Sequence, residues 1–197
     1  MLAILPATSA TAQEKGQVGV TMGYPATVGV LWQVADRVAV RPEISLSQNS
    51  GTATSTRTIS VFGQVQTTET QVSSDNMAVG TGVSGLFYLW KREAVSMYVT
   101  PRYTYTRVTS SQQLSFDSLP ELVTTSHFIS GSFGAQYALG RRFAVFGEIG
   151  MGYTRTAQDS SSTLDSSPVS SAVTSRTVTT TRGVSSRSAA GVVLYFR

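Results

Sequence analysis

The sequence predicts an all-β fold, an eight-stranded antiparallel up-and-down transmembrane β-barrel. Three observations lead there. First, charged residues are 13% of the 197 and hydrophobic residues 41%, whereas a soluble domain carries about 25% charge. Second, no run approaches the roughly 20 apolar residues of a membrane helix. Third, three segments share one hairpin plan: Gly29 to Ser47, Gly85 to Thr106 and Gly134 to Thr154. Each opens on Gly, passes a Trp or Tyr, crosses a short Arg-bearing turn and resumes with alternating apolar residues. A Ser/Thr-rich soluble sandwich would share the composition, so the connections must decide. The turns Asp36-Arg37, Lys91-Arg92-Glu93 and Gly140-Arg141-Arg142 are short, as in antiparallel hairpins. The polar stretches 49–76, 109–123 and 158–180 are expected as long loops, whose composition allows either disorder or strand extensions beyond the membrane. Short turns at one end and long loops at the other are the asymmetry of a membrane barrel.

The strands follow in order. The first, β1, spans 17–24 and stops at Pro25, which cannot donate to a ladder. The next, β2, spans 27–35, and β3 spans 38–48 after the first short turn. Then come β4 at 77–90, β5 at 94–107, β6 at 125–139, β7 at 142–156 and β8 at 183–197. Most match or exceed the 9–11 residues that cross a bilayer at a tilt. The even count brings both ends to the short-turn side.

Side chains alternate across a strand, so each strand supplies two faces. In β3, Val38, Val40, Pro42, Ile44 and Leu46 oppose Ala39, Arg41, Glu43, Ser45 and Ser47. In β5, Val95, Met97, Val99, Pro101, Tyr103 and Tyr105 oppose Ser96, Tyr98, Thr100, Arg102 and Thr104. In β7, Phe143, Val145, Ile149, Met151 and Tyr153 oppose Ala144, Phe146, Glu148, Gly150 and Gly152. The apolar faces carry no charge and are assigned to lipid, where Arg or Lys costs roughly 2–4 kcal/mol at the midplane. The other faces, rich in small residues, suit the narrow interior of eight strands. Arg41, Glu43, Arg102, Glu148 and Arg187 then point inward. Buried charges must pair, so an interior Arg/Glu network is expected, either as a plug or as a pore lining. The plug is the stronger expectation, since eight strands leave room only for side chains.

Aromatics gather at strand ends. Trp32, Trp90, Tyr137, Phe143 and Phe196 lie by the short turns, and Tyr24, Tyr103, Tyr105 and Tyr153 by the polar stretches. Two girdles at the membrane interfaces are expected. The chain closes on GVVLYFR, in which Gly191, Leu194, Tyr195 and Phe196 resemble the C-terminal assembly signal of outer-membrane proteins, with Arg197 as one extra residue. With these features the chain from about Gln13 resembles the small eight-stranded barrels of the OmpA/OmpX-like superfamily. That resemblance implies an outer-membrane location and contact with outer-membrane lipid and lipopolysaccharide. It also implies delivery to the barrel-assembly machinery through the C-terminal strand. The superfamily spans adhesion proteins, anchors, small pores and a few lipid-modifying enzymes. No peptidoglycan-binding domain is expected after the last strand.

The N-terminus reads as an export signal. MLAILPA is mostly apolar, and Ala10-Thr11-Ala12 fits small-residue cleavage, predicting residues 1–12 as a leader remnant and 13–197 as the barrel domain. A basic n-region is missing, which leaves an ordinary tail as the alternative. The net charge of +4 is dispersed, giving no nucleic-acid patch. Without cysteine there is neither a disulfide framework nor a thiolate metal site. No metal, cofactor or catalytic motif is found. His127, the only histidine, has Ser126 and Ser130 as sequence neighbours, a weak signal for a nucleophile because Ser is abundant throughout. The expected role is a non-enzymatic structural or surface-interaction barrel whose loops meet a glycan or protein ligand. The alternatives are a narrow pore and an outer-membrane lipid-modifying enzyme.

Overall fold

The structure, a computed structural model, describes residues 15–25, 27–61, 64–114, 117–118, 122–164 and 173–196. The predicted leader remnant and Arg197 lie outside them. Eight long strands follow one another: β1 (Val18–Tyr24), β2 (Thr27–Ala35), β3 (Val38–Val61), β4 (Gln64–Arg92), β5 (Val95–Leu114), β6 (Leu122–Ala138), β7 (Phe143–Leu164) and β8 (Val173–Phe196). A two-residue strand, Asp117–Ser118, adds to the end of β5. Each long strand pairs antiparallel with its neighbour in sequence, and β1 pairs with β8, from Val18↔Phe196 to Tyr24↔Ala190. The sheet therefore closes on itself as an all-β, eight-stranded up-and-down barrel. Closure leaves no free edge in the wall, so its backbone N–H and C=O groups are satisfied within the ring.

The two ends differ. At one end β2–β3, β4–β5 and β6–β7 join through the short turns near Asp36-Arg37, Glu93-Ala94 and 139–142. Glu93 takes φ 48°, the left-handed conformation that lets the chain reverse there. At the other end the rim is uneven. The ladder between β2 and β3 stops at Thr27↔Ser45, while β3 and β4 stay paired out to Val61↔Gln64. The pairing of β7 with β8 likewise runs to Leu164↔Val173, far beyond the point where β1 leaves β8. Two tall hairpins, β3–β4 and β7–β8, thus rise above the rim, with β5–β6 of intermediate height.

Of the two alternatives for the long polar stretches, the structure shows strand extensions in place of irregular loops. Much of 49–76, 109–123 and 158–180 is paired strand. Thr and Val, frequent in these stretches, are β-branched and suit strands. An antiparallel hairpin supplies the ladder that satisfies its backbone. With water on both sides, no apolar alternation marks these segments in the sequence.

Candidate functional site

Alternation places the side chains of the wall on two surfaces. Outward, β3 exposes Pro42, Ile44 and Leu46, β6 exposes Ile129, Phe133 and Tyr137, and β7 exposes Phe143, Ile149, Met151 and Tyr153. Inward, Arg41, Glu43, Ser84, Thr100, Arg102, Ser130, Ser132, Gln136 and Glu148 are buried. The polarity is inverted relative to a soluble domain, where apolar groups turn inward.

The interior has two layers. Toward the short turns, Leu31, Ala39, Leu86, Tyr88, Tyr98, Ala144, Val193 and Tyr195 form an apolar and aromatic cluster. The Tyr88 and Tyr98 rings meet edge to face, 5.5 Å between centroids, a favoured aromatic geometry. Gln136 Nε2 donates to Tyr195 Oη at 2.6 Å. Lys91 lies over the Tyr88 ring at 4.1 Å and donates to the Asp36 carbonyl at 2.5 Å, covering the cluster from the turn side. Sequence reasoning expected small polar residues here and missed this layer. On β2, β4 and β8 both faces are apolar near the turns, so alternation fades. The inward parity of Leu31, Leu86, Tyr88, Val193 and Tyr195 was the signal available.

Above it lies the charged layer. Glu148 on β7 has a side chain 0% exposed and is the hub. Arg41 on β3 donates to its Oε1 from Nη2 at 2.8 Å, and Tyr98 Oη donates to the same oxygen at 3.1 Å. Arg187 on β8 reaches Oε2 from Nη1 at 3.3 Å. Arg41 also donates to Ser84 Oγ at 3.1 Å and lies 5.2 Å from the Phe146 ring centre. Arg102 on β5 pairs with Glu43 on β3 and donates to Thr104 Oγ1 at 3.2 Å. All five inward charges named from the sequence thus meet in two ion-paired groups, drawn from β3, β5, β7 and β8. Their connection across the lumen could not be read from spacing, since the partners Arg41 and Glu148 are far apart in the chain. Arg187 is the least enclosed, its side chain 10% exposed.

Packing around the network is tight. The Tyr98 ring packs closely against Gly134, where an added Cβ would sit 2.5 Å from it. At Gly82 a Cβ would press on the Tyr103 carbonyl at 3.0 Å and Glu43 Oε1 at 3.3 Å. Glycine at these points lets the wall approach the interior side chains.

The aromatics singled out from the sequence lie on the outer surface. Trp32, Trp90, Tyr137, Phe143 and Phe196 are exposed near the short turns, and Tyr24, Tyr103 and Tyr153 are exposed toward the far rim, with Tyr105 half-buried. The terminal residues divide between the surfaces: Tyr195 is buried in the apolar cluster, Leu194 and Phe196 face outward, and Gly191 packs against Gly23 and the Phe146 ring. His127 also faces outward. Its Nδ1 is 2.8 Å from Tyr103 Oη, and Tyr105 meets its ring edge to face at 5.3 Å. Ser130 is buried inside, and Ser126 Oγ lies 3.0 Å from Thr156 Oγ1. Strand alternation puts both serines across the wall from His127, so the Ser-His pairing suggested by the sequence is not formed. Among the described residues no group of His, Asp or Glu is arranged to hold a metal ion.

No protein-family model matches the chain, and no curated protein matches it. Among the solved structures similar to it are two crystal structures from one organism. The crystal structure of Acinetobacter baumannii CarO shares 11% identity over 92% of this chain and 98% of that one, with a TM-score of 0.40. The crystal structure of Acinetobacter baumannii CarO2 shares 11% identity over 93% of this chain and 100% of that one, with a TM-score of 0.37.

Proposed function

We propose that the chain is an integral outer-membrane β-barrel that acts as a closed scaffold, presenting its two tall hairpins at the cell surface. The observation that carries this reading is the inverted wall: a largely apolar and uncharged outer surface around an ion-paired interior. The dimensions fit. On β7 the outward apolar residues run from Phe143 to Tyr153; at roughly 3.4 Å per residue and a tilt of about 40°, that band stands about 26 Å tall. An outer-membrane barrel carries an apolar band of about 25 Å. The exposed aromatics at the two ends of the band would be its interfacial girdles. The short turns would then face the periplasm.

The interior favours a scaffold over a channel. The Tyr88–Tyr98–Tyr195 cluster and the Glu148 hub fill the lumen in successive layers, with the buried charges paired. The strand ending at Gly191, Leu194, Tyr195 and Phe196 would engage the barrel-assembly machinery, and it supports kinship with the OmpA/OmpX-like barrels. The hydroxyl-rich hairpins suit hydrogen bonding to a glycan or protein ligand. Two measurements test the reading. Membrane fractionation followed by electrophoresis with and without heating should place the chain in the outer membrane as a heat-modifiable band; recovery in the aqueous fraction would refute it. Planar-bilayer recording should show no steady conductance. Steady conductance altered by Arg102→Gln would replace the scaffold with a narrow pore.

A further inference from the structure

The pairing registers assemble a surface that spacing along the chain does not reveal. On the outward face, Tyr105 of β5 is opposite His127 of β6, His127 is opposite Arg155 of β7, and Arg155 is opposite Arg182 of β8. Arg107 is the next outward residue on β5. Directly opposed residues lie about 5 Å apart at Cα, so this is one contiguous patch. Arg107, His127, Arg155 and Arg182 are all exposed.

Their level on the barrel follows from the same geometry. A ladder row in a wall tilted by about 40° climbs roughly 3 Å per strand, and two residues along a strand climb about 5 Å. The row rises from β5 to β8. His127, Arg107, Arg155 and Arg182 therefore fall within about 6 Å of one another in height. His127, Arg107 and Arg155 are each the first outward residue beyond the apolar band, next after Ile129, Tyr105 and Tyr153, and on β8 Arg182 is the next outward residue after Val184, below which Ser186 and Ser188 also face outward. The patch thus begins where hydrocarbon would end.

Among the described residues the charge is uncompensated: no carboxylate forms an ion pair with Arg107, Arg155 or Arg182. Asp159, an acid on this face above the patch, is taken by Arg176. Arg155 and Arg182 stand directly opposite each other, and like charges so placed destabilise a sheet. A local arrangement that works against the fold points to a ligand that reverses its sign. Above the patch the same face holds a groove of about 580 Å³ with Arg107 and Asp159 in its walls and Thr125 and Ala157 among the small residues lining it.

We propose that this patch is a docking site for a phosphorylated glycolipid of the outer leaflet, with its phosphates on Arg107, Arg155 and Arg182 and its sugars toward the groove. Guanidinium groups bind phosphate through paired hydrogen bonds. Basic clusters at the membrane surface bind anionic lipid headgroups. His127, held by Tyr103 and Tyr105, forms the lower edge of the patch. The proposal rests on the outer-membrane reading.

The test uses the full chain extracted from membranes in detergent, with native mass spectrometry as the readout. The probes are bisphosphorylated lipid A, the same lipid with both phosphates removed, and inorganic phosphate. Lipid A should bind, the dephosphorylated lipid should bind at least tenfold more weakly, and phosphate alone should not compete at millimolar concentration. Arg155→Gln combined with Arg182→Gln should weaken lipid A binding by roughly tenfold per arginine. Arg37→Gln, in a short turn at the opposite end, should leave it unchanged. A heat-modifiable, detergent-partitioned double variant that binds lipid A as tightly as the parent would overturn the proposal. So would equal binding of both lipids, or displacement by free phosphate. Failure of the parent chain to partition into detergent would instead overturn the outer-membrane reading.

Discussion

Replacing Glu148 with Gln tests the interior directly. The side chain keeps its volume but loses its charge, and it faces Arg41, Arg187 and Tyr98 at 2.8, 3.3 and 3.1 Å. Arg41, with a side chain 4% exposed, is left without a carboxylate. Stranding a buried charge in this way costs about 3–5 kcal/mol. The inward charges go from three Arg and two Glu to three Arg and one Glu. Adding Arg41→Gln restores the original net charge, so the double variant should recover at least about 2 kcal/mol relative to the sum of the single losses. The assay is reversible urea unfolding in phospholipid vesicles, followed by the fluorescence of the chain's two tryptophans, Trp32 and Trp90. A Glu148→Gln variant within about 1 kcal/mol of the parent, or strictly additive losses, would refute the account of the network as a coupled unit.

Other outcomes follow from the same packing. Gly134→Ala should destabilise by about 1–3 kcal/mol, because its Cβ would sit 2.5 Å from the Tyr98 ring, whereas Gly131→Ala, with nothing within 4 Å, should be near neutral in the same assay. On the β7–β8 hairpin, hydrogen bonds from Arg176 hold the Asp159 carboxyl below the ordinary aspartate range. The folded value is depressed, so the pair's small contribution is complete above the unfolded value near about 3.9 and is lost as pH falls through the folded one. Carbon-detected NMR titration should show the low midpoint in the parent and its return to the ordinary range in Arg176→Gln; an unchanged midpoint would remove the ion pair as the cause.

The barrel was legible because the strands of its wall have two unlike faces. Val38 to Leu46 and Phe143 to Tyr153 alternate cleanly, and the turn at Asp36-Arg37 marks where one strand ends and the next begins. The inward charges could be named by parity alone. Their partners could not, because Arg41 meets Glu148 only through the closure of the ring. The sequence does not separate the tall hairpins from irregular loops, since Ser and Thr on a strand exposed on both faces leave no hydrophobic period. The apolar cluster around Tyr98 escaped for the opposite reason: near the short turns both faces of β2 and β8 are apolar. The basic patch is a product of register, because Arg107, His127, Arg155 and Arg182 lie on four different strands.

If the apolar outer surface lies in a membrane with the tall hairpins outside the cell, accessibility to a water-soluble reagent must divide by position along the strands. The chain has no cysteine, so single cysteines can be placed without background and probed with a membrane-impermeant maleimide on intact cells. Thr58→Cys, on the β3–β4 hairpin, should label at once, and Arg37→Cys only after the outer membrane is permeabilised. Ile149→Cys, at a position 69% exposed in the isolated chain, should stay unlabelled in both cases because lipid covers it. Labelling of Ile149→Cys as fast as Thr58→Cys would contradict the account.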